Sequence, residues 1–162
     1  MLKEIVKYPL SIKGLSTTEF TEVKSPFSGE VVAVVGQADE KAIDAALTLA
    51  KETFENVMKK MPAYKRSEIL AKTSQLILSN IEDMAQTIAL EGGKPIKDAR
   101  VEVSRAANTF AIASREALRL DGEQLQMDTN AGNEARIGMI LREPIGVIAA
   151  VTPFNFPLNL VA

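Results

Sequence analysis

The chain has 162 residues, 46% hydrophobic and 25% charged, with a formal net charge of −2, the composition of an ordinary folded domain or a large part of one. It holds no Cys, His or Trp, which excludes a thiol nucleophile, a Cys/His zinc site and any Ser-His-Asp or Cys-His pair within these residues. A general acid or base here is therefore Asp, Glu, Lys or Tyr, and the slight acidity with 5% aromatics argues against a nucleic-acid surface, which needs a basic stripe and stacking rings.

Residues 1–37 read as short strands and turns. MLKEIVKYPLSIKG has too short an apolar stretch for a secretory leader, and a cytoplasmic protein is expected. Ser25-Pro26-Phe27-Ser28-Gly29 has turn chemistry and leads into the β-branched run Val31 to Val35. Asp39 stands as the N-cap of an amphipathic helix whose apolar face runs Ile43, Ala46, Leu47, Ala50, Phe54, Val57 and Met58. Lys59, Lys60, Lys65 and Arg66 lie among glutamates and read as a solvated helix end.

Pro62 suits the first turn of a second helix, with Ile69, Leu70, Thr73, Leu76 and Ile77 on its buried face. Asn80 caps a third, carrying Ile81, Met84, Ala85, Ile88 and Ala89, which Gly92-Gly93 stops. A fourth runs from Pro95 to Leu118, about 36 Å at 1.5 Å per residue. Its stripe of Ile96, Ala99, Val103, Ala106, Ala107, Phe110, Ala113 and Ala117 is alanine-rich, so another backbone can approach closely. Residues 123–128 and 136–142 form a β-hairpin around Thr129-Asn130-Ala131-Gly132-Asn133, which must pack on something to be stable. After Glu143 no charged residue follows, and 145–162 hold 12 apolar side chains of 18. Two prolines and two asparagines there argue against a membrane span. Gly146 to Val151 reads instead as a buried strand of parallel type.

Three stretches could carry chemistry. Glu91-Gly92-Gly93-Lys94-Pro95 contains GGK but lacks P-loop spacing and follows a helix, so it reads as a helix stop and restart. Glu102, beside Arg100 and Arg105, reads as a surface ion-pair partner. Thr152-Pro153-Phe154-Asn155-Phe156-Pro157-Leu158-Asn159 follows the expected strand directly, where open α/β sheets bind ligands. Pro157 suits a helix start, which places Asn155 near a helix N-terminus. The Asn155 amide is either a cap or turn group or a neutral donor for an oxyanion, worth about 10²–10³ in rate. No metal site is expected.

The order of segments resembles the N-terminal portion of the aldehyde dehydrogenase superfamily. Ser25 to Val31, Glu91 to Pro95 with Glu102-Val103, and Arg142-Glu143-Pro144-Ile145-Gly146-Val147 running into Thr152 to Pro157 carry the resemblance over about residues 20–162. The last is the most specific. It implies an α/β fold, with helices packed on a partial parallel sheet plus a β-hairpin oligomerisation arm. It also implies oxidation of an aldehyde to its acid with NAD or NADP. Residues 1–120 would be strands and helices of the cofactor-binding domain, 121–142 the arm of a homo-oligomer, and 143–162 a return strand opening the cofactor-binding sheet. Asn155 would help hold the oxyanion, and Thr152, Pro153, Phe154 and Asn155 would lie against the cofactor. Phe154 resembles branches acting on small aldehydes, such as lactaldehyde or semialdehydes. The family's nucleophilic Cys, general-base Glu and ribose-binding Lys all follow this motif, so the chain reads as a truncated catalytic unit, inactive alone. The alternative is a non-catalytic oligomerisation or partner-binding module.

Overall fold

A computed structural model describes residues 5–162; the first four residues of the expected strand-and-turn region lie outside the described residues. The elements are β1 (Val6–Tyr8), β2 (Phe20–Lys24), β3 (Val31–Gly36), α1 (Glu40–Asn56), α2 (Ala63–Ser79), α3 (Ile81–Gly92), α4 (Ile96–Glu116), β4 (Glu123–Leu125) and β5 (Gly138–Ile140), with a 3₁₀ turn over Met58–Lys60. The class is α/β. β3 is central to a three-stranded sheet, parallel to β1 and antiparallel to β2. The Ser25–Gly29 turn joins β2 to β3. Ser25 N–H donates to the Glu30 carbonyl at 2.9 Å, and Gly29 N–H to the Ser25 carbonyl at 2.8 Å.

The helical starts and stops follow side-chain chemistry. Asp39 caps α1, its Oδ1 accepting the Ala42 N–H at 2.8 Å. Gly93 ends α3 in the left-handed conformation at φ 66°, which an L side chain adopts only with strain. Asn80 stands at the head of α3 but does not cap it with its side chain. Its Nδ2 instead donates to the Leu76 carbonyl at 2.7 Å, closing the end of α2.

The helices pack chiefly on one another. α4 is central, with α2 and α3 against it. The core joins Ile77 of α2, Ala85 and Ile88 of α3, and Ala99, Val103 and Ala107 of α4. The alanine stripe on α4 has the effect expected of it. Small side chains bring α2 close enough for Ser74 Oγ to donate to the Ala107 carbonyl at 2.7 Å, while Ser114 Oγ donates to the Ser67 carbonyl at 2.9 Å. The inward face of α2 is therefore turned from its expected position: Ser74 and Ile77 are buried, and Ile69 and Leu76 are exposed. On α1, Ala42 is buried while Ile43 and Leu47 are exposed and Ala46, Ala50 and Phe54 are half-buried, so its expected face is only partly covered by described residues.

The hairpin forms, shorter than its apolar pattern, with Glu123 opposite Ile140 and Leu125 opposite Gly138. The expected buried strand at 146–151 does not. The stretch has no strand assignment, and Ile145, Ile148 and Val151 are 89%, 74% and 97% exposed. A strand exists only by pairing, and no described strand lies beside this one. Among the described residues no helix is long and apolar enough to cross a membrane.

Candidate functional site

The asparagine segment is held against the α3–α4 junction by one buried ion pair. Glu102 lies on the inner face of α4, three residues after Ala99 and four before Ala106, and is 1% exposed. Its Oε2 takes a hydrogen bond from Lys94 Nζ at 2.5 Å. Its Oε1 accepts the N–H groups of Leu158 at 3.0 Å and Asn159 at 3.2 Å. Lys94 Nζ also donates to the Asn155 carbonyl at 2.6 Å and stands 3.7 Å from the centre of the Phe156 ring. Two residues thus fasten the segment at both ends of the stretch from Asn155 to Asn159.

The electrostatics are consistent. Burial pushes the Glu102 carboxyl up, but the hydrogen bond from Lys94 and those from the Leu158 and Asn159 amides outweigh it, leaving its pKa below the ordinary 4.5. A buried carboxylate persists only with such partners.

The local backbone explains why Glu102 binds there. The helix expected from Pro157 is a single turn, in which Leu160 N–H donates to the Phe156 carbonyl at 3.3 Å. Phe156 is then the cap, Pro157 the first helical residue, and Leu158 and Asn159 the next two. Their N–H groups have no intrahelical acceptor, and Glu102 supplies one from another helix. The helix-start donors that sequence reasoning left open to a ligand are already taken by this carboxylate.

Two sequence expectations are corrected here. Glu102 is not a surface partner of Arg100 or Arg105: Arg100 pairs with Glu82 at 2.8 Å across α3 and α4. The GGK stretch does stop and restart helices, but its lysine is a tether too. The signal for Glu102 was present in the spacing, since it falls on the buried alanine face. Lys94 gave no comparable signal. It stands ahead of α4, outside any helical period, and meets Glu102 only because its long side chain turns toward that face.

Thr152, Pro153, Phe154 and Asn155 run past this clamp as one continuous stretch. Pro153, Phe154 and Asn155 are exposed and Thr152 is half-buried. Among the described residues Asn155 is hydrogen-bonded through its backbone carbonyl, and its exposed side-chain amide has no protein partner. The clefts on α3 and α4 are lined from Phe156 onwards; one of about 260 Å³ lies between Phe156, Lys94, Asp98, Val101, Glu102 and Arg105. A dinucleotide would find at 152–155 one open wall, with a proline, an aromatic ring and a free amide. That suits a flat heterocycle on one side and encloses it on none. Among the described residues no cluster of His, Cys, Asp or Glu could hold a metal ion.

Comparison with known proteins gives consistent likenesses. Residues 13–162 match the model of the Aldehyde dehydrogenase family. The chain is 36% identical over 162 residues to a 3-sulfolactaldehyde dehydrogenase from Priestia megaterium, covering 99% of this chain and 33% of that protein. It is 37% identical over 144 residues to a lactaldehyde dehydrogenase from Methanocaldococcus jannaschii, covering 89% and 30%. Among solved structures, aldehyde dehydrogenase 21 from Physcomitrella patens, in complex with the reaction product succinate, superposes with a TM-score of 0.91 at 36% identity, covering 98% of this chain and 34% of that one. An NADP-dependent glyceraldehyde-3-phosphate dehydrogenase from Bacillus halodurans, complexed with NADP, gives 0.83 at 33% identity, covering 88% and 30%. The chain spans about a third of the length of the curated relatives it matches.

Proposed function

The chain belongs to the aldehyde dehydrogenase family, and from that membership we propose that it contributes the oxyanion donor and part of the cofactor wall to an enzyme oxidising a small aldehyde to its carboxylic acid with NAD or NADP. Asn155 carries the first role. As nucleophilic addition turns the aldehyde oxygen negative, a neutral amide aimed at it lowers the barrier without a proton transfer. The observation behind this is the contrast at one residue: the Asn155 carbonyl is tied down by Lys94, while its side-chain amide is unused.

Thr152, Pro153 and Phe154, with Asn155, lie against the cofactor in this reading. NAD(P), when bound, supplies the hydride acceptor. The contribution of these residues is to present peptide groups and an apolar face on one side and to exclude water there. The family's chemistry needs a cysteine thiolate, and these 162 residues contain none. We therefore assign the nucleophile, the water-activating Glu and the ribose-binding Lys to parts of the family fold outside them. The named relatives act on lactaldehyde and 3-sulfolactaldehyde, which supports a short-chain aldehyde as substrate. The hairpin at 121–142 serves a homo-oligomer contact, supported by Ile137, Met139 and Leu141, all exposed on or beside β5. The working compartment is the cytoplasm.

The test is Asn155→Ala in the intact protein, assayed with lactaldehyde and its short-chain analogues. Turnover falls by about 10²–10³, far more than the affinity for NAD(P). A change of only a few-fold would remove Asn155 from the oxyanion role. NAD(P)H formed by the purified 162 residues alone would overturn the assignment of the nucleophile elsewhere.

A further inference from the structure

We infer that Lys94 and Glu102 are positioning residues that fix the direction in which Asn155 presents its amide, an inference that rests on the proposed role of Asn155. Three observations converge on it. The Asn155 carbonyl is anchored by Lys94 Nζ. Three residues on, the Leu158 N–H is anchored by Glu102 Oε1. The two anchors are joined to each other at 2.5 Å, so the backbone from the Asn155 carbonyl to Leu158 is referred to one point at the α3–α4 junction. The peptide plane after Asn155 is set by the Lys94 bond, and only two side-chain torsions remain between that fixed backbone and the amide.

The placement of the anchors gives this point its rigidity. Lys94 follows Gly93, whose left-handed turn leaves no room for a Cβ beside Pro26. Glu102 is enclosed on the alanine face among Ala99, Val103 and Ala106, all 0% exposed. A donor that must meet a developing charge gains from such fixing, since a misplacement of about 1 Å can cost on the order of 10² in rate. The Lys94 ammonium itself is spent on the carbonyl, the carboxylate and the Phe156 ring. It acts through Asn155 and not on the substrate.

The experiment is a double-mutant cycle on the intact protein with a short aldehyde, joined to hydrogen exchange at the Leu158 and Asn159 amides. Lys94→Met is expected to lower kcat by about tenfold or more, to leave the Kd for NAD(P) within about twofold, and to speed exchange at both amides. Lys94→Arg, which keeps the charge and donors, restores part of the loss. Added to Asn155→Ala, Lys94→Met lowers kcat by no more than about a further twofold, because the two act as one unit. Glu102→Gln gives the same pattern in milder form and stands in if Lys94→Met fails to fold. Effects that multiply, an unchanged kcat in Lys94→Met, or unaltered exchange at the two amides would each overturn the inference. If Asn155→Ala alone proves nearly silent, the functional reading itself is what fails.

Discussion

The Glu102 carboxylate meets the Leu158 N–H at 3.0 Å across 56 residues of chain, so the acid that caps the turn at Phe156–Leu160 comes from the N-terminal third of α4. Because the folded pKa of Glu102 lies below its ordinary 4.5, the stability it adds is fully present above about pH 4.5 and is lost as pH falls through the folded value. The expected outcome is that the stability difference between the native protein and Glu102→Gln, read from urea midpoints, is constant near neutrality and shrinks below about pH 4.5. Glu82, held down to about 2 by its hydrogen bond to Arg100 and then by Gln86, is common to both proteins and cancels. Glu91, raised by burial and then by the Glu102 charge, works in the opposite sense and narrows the difference. A difference independent of pH between 3 and 7, about the range over which carboxylates titrate, would show that Glu102 is not the anion described.

Gly93 offers a separate test of the junction. At φ 66° a Cβ would stand 2.8 Å from Pro26 Cγ. Gly93→Ala is expected to cost about 1–2 kcal/mol from the left-handed backbone alone, with a further loss from the clash. Pro26→Ala in the same chain should recover the clash part only. Thermal unfolding of the single and double variants separates the two contributions, and a Gly93→Ala variant as stable as the parent would count against the geometry.

The α2–α4 contact predicts a third outcome. Ala107→Leu places three extra carbons where Ser74 now reaches the Ala107 carbonyl. Overpacking costs about 1–3 kcal/mol, and the parted hydrogen bond about 1 kcal/mol more. Ser74→Ala should show only the second amount. Equal losses in the two variants would mean that the helices are not in close contact at this point.

Much of this architecture was legible in the residues. Asp39, Gly93 and the alanine stripe act locally, through a cap, a backbone conformation and a helical period, and each is where the sequence puts it. The side chains around this segment differ in how far the sequence shows them. Asn155 stood out because a Pro-aromatic-Asn-aromatic-Pro run is unusual. Glu102 differs from the expectation because charge is normally a sign of the surface, and only its position on the buried helical face says otherwise. The rotation of α2 could not be read from apolar spacing, since serines that bond to a neighbouring backbone carry no hydrophobic signal. The strand expected at 146–151 depended on neighbours, and pairing is a property of two segments.

That bare stretch has a consequence for handling the chain. Ile145 to Val151 is a seven-residue run with no charge and no proline, rich in β-branched side chains and largely open to solvent. Such a run is a template for any similar strand it meets. Two copies of this chain can pair there. Concentration therefore governs cross-pairing, and during synthesis the run is one that a chaperone would have reason to hold.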